Sequence, residues 1–142
     1  MWKRLAIALL AAAMAPASAS ANYWPHHFQA LFHTFPDCAD ANVSARIIER
    51  FNWADRNTWY RGIAITAIAG QYERTVEAFG PYPIFRRYCR GEARLSDGRH
   101  ETVYYMIERG MGLAGTGYKV EYCLPGHDPW RVYDGHCRVL RR

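Results

Sequence analysis

Four cysteines spaced along the chain limit what this 142-residue sequence can fold into. They are Cys38, Cys89, Cys123 and Cys137, and no two of them have the short spacing that a structural zinc site requires. An even number of cysteines in an oxidising compartment indicates disulfides. Two disulfides are therefore expected, and counting alone leaves three possible pairings.

The N-terminus is the reason to expect an oxidising compartment, because residues 1–21 have the pattern of a cleavable secretory signal. Two basic residues precede an apolar run over residues 5–15, and a small-residue stretch over residues 17–21 follows it. Cleavage is expected after Ala21, with Ala19 as the alternative. The apolar run is shorter than the about 20 residues that cross a bilayer, so no membrane anchor is expected after cleavage.

Removal of this signal leaves 121 residues, enough for one domain, and lowers the net charge from +5 to +3. Dedicated nucleic-acid binders usually have a larger and more clustered excess of basic residues, so no nucleic-acid partner is expected. Residues 22–36 are aromatic and are interrupted by Pro25 and Pro36, which predicts an extended arm. Residues 37–142 are predicted to form the single domain.

The domain is predicted to begin with one helix and to continue with strands. The helix has Asp40 as its N-cap, Asn57 and Thr58 at its end, and an apolar stripe of Val43, Ile47, Phe51 and Ala54. Beyond it the apolar period becomes two, and the candidate strands are residues 59–69, 84–95, 100–109, 117–124 and 130–140. The predicted class is therefore α+β, with an N-terminal helix packed on an antiparallel meander sheet of about five strands. This order resembles that of cystatin-like folds.

The hairpin between the second and third candidate strands can be placed in register. A three-residue loop over residues 96–98, with its glycine in the left-handed conformation, aligns the apolar faces of both strands. That register sets Cys89 opposite Tyr105 on the buried face. It also sets Arg86 opposite Glu108 on the face that is expected to be open to solvent.

A glycine-rich segment matches the G-x-G-x-x-G pattern through Gly110, Gly112 and Gly115. A dinucleotide site requires a helix directly after the glycines, whereas residues 118–122 have a strand pattern. The segment is predicted to be a flexible hairpin loop, and neither a nucleotide nor another cofactor is expected.

Histidines form two groups, and neither gives an assigned site. The arm contains three histidines: His26, His27 and His33. No carboxylate or cysteine lies at ligand spacing from them, except Asp37 further on, so no metal site is expected. Three residues near the last predicted turn could serve acid–base chemistry, namely His127, Asp128 and His136. No serine or cysteine nucleophile matches them, so no catalytic residue is assigned and a small hydrolase is kept as the alternative function.

The favoured binding site is a strip of arginine and tyrosine on the open sheet face: Arg86, Tyr88, Arg90, Arg94 and Tyr104. Guanidinium groups interleaved with aromatic rings suit anionic or carbohydrate-like surfaces. The alternative interpretation is an ordinary solvated face, with Glu92 and Glu108 pairing some of the arginines. The leading hypothesis is a non-enzymatic binding module for a protein or an anionic envelope polymer. Trp130 and the aromatic arm are the nearest rival surfaces.

Several stretches of the chain are distinctive, namely residues 47–59, 86–91, 95–98, 117–123 and 130–140. Together they resemble an uncharacterised family of small exported proteins from alphaproteobacteria, especially rhizobia-like species. The resemblance covers roughly residues 36–142. It implies a periplasmic location and brings no activity, cofactor or catalytic residue with it.

The hairpin register favours one disulfide pairing, Cys38 with Cys89 and Cys123 with Cys137. Cys89 faces the helix side and Cys38 directly precedes the helix, whereas Cys123 and Cys137 flank the turn at residues 125–129. Each bond is expected to contribute about 3–4 kcal/mol by restricting the unfolded chain. Peptide mapping without reduction should recover both pairs, and a Cys89–Cys123 peptide would contradict both.

Overall fold

A computed structural model describes residues 35–79, 84–110 and 117–142. Its regular elements are α1 (Ala41–Ala54), β1 (Ile65–Phe79), β2 (Ile84–Leu95), β3 (His100–Arg109), β4 (Tyr118–Cys123) and a 3₁₀ helix (Gly135–Leu140). The predicted signal, the arm histidines and most of the glycine loop lie outside the described residues. One helix on a four-stranded antiparallel sheet, with two disulfides, confirms the α+β class.

Helix α1 begins as predicted and buries three of the four residues of its predicted apolar stripe, whereas Ala54 is partly buried. The Asp40 carboxylate accepts a hydrogen bond from the Asn42 N–H at 2.7 Å, which caps the first turn. Val43, Ile47 and Phe51 are buried along one face. The α-helix ends at Ala54 and continues into one π-helical turn, Asp55–Trp59.

The sheet is a meander with strand order β1-β2-β3-β4 and antiparallel neighbours. The register of β2 and β3 is the predicted one, with Cys89 opposite Tyr105 and Arg86 opposite Glu108. The Leu95 N–H donates to the Arg99 carbonyl across the three-residue loop, and Gly98 has the left-handed φ of 85°. Alignment of the apolar faces of β2 and β3 therefore predicts both the length of their loop and the register of the two strands.

The main core lies between α1 and one face of the sheet, and the first disulfide crosses it. Cys38 and Cys89 are bonded with a Cα–Cα distance of 5.7 Å, as predicted. The Tyr105 side chain is fully buried beside them, and its hydroxyl donates to the Cys38 carbonyl at 2.6 Å. This bond satisfies a polar group that would be costly to bury alone.

The first strand differs from the prediction of residues 59–69, because it runs from Ile65 to Phe79. Hydrogen bonds from the end of the helix hold the preceding residues in a loop. The Asp55 carboxylate accepts the N–H groups of Gly62 and Ile63, and the Asn52 side chain accepts the N–H of Ile65. Side chain-to-backbone bonds of this kind compete with strand pairing.

The predicted fifth strand at residues 130–140 is wrong. Arg131, Asp134, His136 and Cys137 have positive φ values, between 52° and 62°, which a strand does not contain. The segment instead forms turns and the 3₁₀ helix, and we call residues 130–142 the C-terminal tail. The tail crosses the sheet face opposite α1, which we call the outer face.

The second disulfide fixes the tail on that face. Cys123 of β4 is bonded to Cys137 with a Cα–Cα distance of 5.7 Å, which confirms the predicted pair. Cys137 and Leu140 pack with Cys123 and Tyr104 in a second, smaller core. The expectation of an open outer face is therefore wrong at Tyr88, Tyr104 and Glu108, which are 5%, 9% and 7% exposed.

Replacement of Leu140 by alanine tests whether the tail is packed on the sheet. Leu140 is 1% exposed, so Leu140→Ala should lower the free energy of unfolding by about 2–4 kcal/mol in urea unfolding of the oxidised protein. Val139→Ala is the matched control, because Val139 is half-exposed, and it should change the value by less than about 0.5 kcal/mol. Equal effects of the two substitutions would contradict the packed tail.

Candidate functional site

The outer face gathers three arginines around one aromatic ring. The guanidinium carbons of Arg74, Arg90 and Arg141 lie 6.0, 5.9 and 5.7 Å from the centre of the Tyr104 ring. Arg74 comes from β1, Arg90 from β2 and Arg141 from the tail, so three separate segments contribute. We call these four residues the Tyr104 arginine cluster.

None of the three arginines has an acidic partner. All thirteen carboxylate side chains of the protein lie between Asp37 and Asp134, within the described ranges. The ion pairs found there leave Arg74, Arg90 and Arg141 without a carboxylate within 4.0 Å. To the residues that the structure describes, their side chains donate two hydrogen bonds, from Arg90 to the Tyr72 hydroxyl and from Arg141 to the His136 carbonyl.

The structure divides the arginine–tyrosine strip that the sequence predicts. Arg90 and Tyr104 belong to the cluster, and Arg94 is exposed farther along β2 without an ion pair in the described part of the chain. Arg86 donates to Glu108 at 2.5 Å, and this hydrogen bond raises the pKa of the guanidinium. Tyr88 is buried, with the Arg142 guanidinium over its ring. Burial raises the pKa of the Tyr88 hydroxyl.

Sequence reasoning missed Arg74 and Arg141 for a common reason. Arg74 lies in the part of β1 beyond residue 69, where no strand is predicted, and Arg141 lies beyond the last predicted strand. The longer β1 brings Arg74 to Tyr104 within the sheet, and the return of the tail across the sheet brings Arg141 there.

A second polar group, also missed from the sequence, lies at the end of α1. The buried Asp55 carboxylate accepts a hydrogen bond from Arg61 Nε at 3.2 Å, in addition to its two backbone donors. Arg61 Nη1 in turn donates to His127 Nδ1 at 3.2 Å. The Arg61 guanidinium also lies 4.5 Å from the Trp59 ring centre. The hydrogen bonds from Arg61 to Asp55 and to His127 thus connect the end of the helix to the segment after β4.

The hydrolase candidates share cavities in pairs, since Asp128 lines one with His127 and another with His136, but no hydrogen bond among the described residues joins the three. Burial, followed by the charge of Arg61, lowers the pKa of His127 and favours the neutral imidazole. The Asp128 carboxylate accepts the N–H groups of Val132 and Tyr133, both at 3.0 Å, and so caps a turn. His136 is exposed in the tail, and no bond joins it to His127 or Asp128 among the described residues.

Two searches within the described ranges bear on other site types. No group of three or more histidine, cysteine or acidic residues there could hold a metal ion. No helix there has the length and apolar character needed to cross a membrane.

Comparison with models of known families, with curated proteins and with solved structures finds no match for this chain. The resemblances to exported alphaproteobacterial proteins and to the cystatin-like order stay predictions.

The lowered pKa of His127 predicts how stability depends on pH. The unfolded chain takes up the imidazole proton near pH 6.5, whereas the folded chain resists it. The free energy of unfolding should therefore hold above pH 6.5 and fall as the pH decreases below that value. Urea unfolding of the protein at about pH 7.5 and about pH 5.5 measures this difference.

His127→Gln should reduce the pH-dependent part of the unfolding free energy. His136→Gln, at an exposed position of the tail, is the matched control and should keep it. The same pH response in both variants would show that His127 is not the responsible group.

Proposed function

We propose that the protein is an exported, non-enzymatic module of the periplasm that binds an anionic envelope polymer through the Tyr104 arginine cluster. The observation that carries the proposal is the set of three guanidinium groups around one ring, without a carboxylate partner. The two disulfides fit the oxidising compartment that export would provide.

The electrostatics of the cluster favour an anionic ligand. The three guanidinium carbons each lie 5.7 to 6.0 Å from one ring centre, so no two are more than about 12 Å apart. That separation is comparable with the Debye length of about 8–10 Å, so salt screens their repulsion only in part. An anionic group relieves that repulsion and accepts paired hydrogen bonds from the planar guanidinium. The Tyr104 side chain is almost fully buried, so its ring lies beneath the three guanidinium groups.

The extent of the cluster favours a polymer over a small anion. Its arginines come from β1, β2 and the tail, and Arg94 extends the positive surface along β2. One phosphate or carboxylate can contact only part of this surface. A chain with repeated negative charges can engage several arginines together, and each further contact then adds to the affinity.

Titration calorimetry with dextran sulfate tests the proposal, with uncharged dextran as the control polymer. The double variant R74S/R90S should bind dextran sulfate about tenfold or more weakly, since charge-assisted hydrogen bonds contribute about 1.5–3 kcal/mol each. Binding to the unaltered protein should also weaken as salt increases.

The matched control removes the same charge from another surface. Arg56 and Arg131 are exposed and have no ion pair within the described ranges, so R56S/R131S changes the net charge equally. This control should keep the affinity of the unaltered protein. If both double variants lose affinity to the same degree, attraction is due to net charge alone and the cluster is not the site.

A further inference from the structure

A groove separates α1 from the edge strand β4, on the other side of the molecule from the Tyr104 arginine cluster. It consists of two adjoining cavities of about 540 Å³ and 180 Å³, which share Arg50, Ala54 and Tyr122. The larger one has the size of a small-molecule site, for which about 300–1,000 Å³ is typical. We call it the helix–β4 groove.

Two exposed indoles stand along the groove. Trp53 lines the larger cavity and is 58% exposed, and Trp130 lines the smaller one and is 67% exposed. Trp130 is held edge-on against Trp59, at 6.4 Å between ring centres, and Trp59 is held in the same way against Phe51 of the core. These edge-to-face contacts, which continue from the core, orient the Trp130 ring before any ligand arrives and so lower the entropy cost of binding.

The polar groups of the groove are also held in place. Arg46 and Arg50 donate through Nη1 to the carbonyls of Tyr118 and Val120 on the free edge of β4. Their guanidinium groups lie over the rings of Tyr118 and Tyr122, at 4.4 and 5.6 Å from the ring centres. Each guanidinium has five N–H donors, so further donors remain for a ligand.

Glu49 supplies an acceptor in the same cavity. It is the only one of the thirteen carboxylates with no hydrogen bond or ion pair to the described part of the chain. The larger cavity thus combines a free acceptor with guanidinium donors and an exposed aromatic ring.

This combination selects among ligand classes. A small anion would be attracted by Arg46 and Arg50 but repelled by Glu49 in the same cavity, and it would leave the indoles uncovered. An added β-strand would compete with Arg46 and Arg50 for the carbonyls of β4. A wholly apolar ligand would remove water from Glu49 without replacing its hydrogen bonds.

A pyranose ring meets all of these conditions. Its hydroxyl groups donate to a carboxylate and accept from guanidinium groups, and its C–H face packs on an aromatic ring. We propose that the helix–β4 groove is a second binding site, for a neutral oligosaccharide. Trp53 and Trp130 supply the stacking surfaces, and Glu49 and Arg50 supply hydrogen bonds to the hydroxyl groups.

NMR titration of the ¹⁵N-labelled oxidised protein tests the proposal with three uncharged probes: tetra-N-acetylchitotetraose, cellotetraose and maltotetraose. At least one probe should shift the indole N–H signals of Trp53 and Trp130. Trp53→Ala should then weaken that binding about tenfold, as the loss of one aromatic stacking surface does elsewhere. Glu49→Gln, which keeps the shape of the side chain, should weaken it as well.

Tyr60→Ala is the matched control, because Tyr60 is an exposed aromatic residue outside both cavities. It should bind the same probe with unchanged affinity, and so should R74S/R90S. The proposal is overturned if none of the three probes shifts the indole signals, or if Trp53→Ala and Tyr60→Ala bind equally. It is also overturned if dextran sulfate alone shifts them, since the groove would then take an anionic chain.

Discussion

The disulfide between Cys123 and Cys137 determines how the outer face of the sheet is used. It closes a loop with a sequence separation of 14 residues, for which the restricted unfolded chain predicts a stabilisation of about 3 kcal/mol. More important is where the bond places the tail. With Cys137 fixed beside Tyr104, Leu140 is buried on the same face and Arg141 reaches the Tyr104 ring. The proposed polymer site thus depends on a covalent bond outside the site itself.

The two proposed binding surfaces arise because the two faces of the sheet are covered by different segments, α1 on one face and the C-terminal tail on the other. On one face, α1 and the Cys38–Cys89 bond form the main core, and the side chains of α1 continue past it to the edge of β4. Arg46 and Arg50 occupy edge carbonyls there, which protects an otherwise free strand edge from pairing with another chain. On the other face, within the described residues, the short tail packs on Tyr104 and Cys123 and leaves arginines around that contact. The outer face is rich in positive charge without a carboxylate partner in the described part of the chain, whereas the groove combines indoles with a carboxylate that has no partner there.

The sequence predicts best what depends on periodicity. The parity of β2 and β3 identifies their loop and register, and that register leads to the Cys38–Cys89 pair. The Cys123–Cys137 pair is confirmed too, although its prediction places Cys137 on a fifth strand that the structure replaces with turns and the 3₁₀ helix. Prediction from the sequence fails where a single side chain forms hydrogen bonds that override the alternation of apolar and polar residues. Asp55 holds residues 62 and 63 out of a strand, and Asp128 caps a turn at the start of the tail. The cluster and the groove could not be predicted for a related reason, since Arg74, Arg141 and Glu49 gain their roles only from segments distant in the chain.

The most direct test of this account is a set of nuclear Overhauser contacts from the tail of the oxidised protein. The account predicts contacts from the methyl groups of Leu140 to the side chains of the small core that contains Tyr104 and Cys123, and from the Arg141 side chain to the Tyr104 ring. Backbone Hα–Hα contacts that pair residues 130–140 with β4 would contradict it. They would place the tail in the sheet as a fifth strand and remove Arg141 from the proposed site.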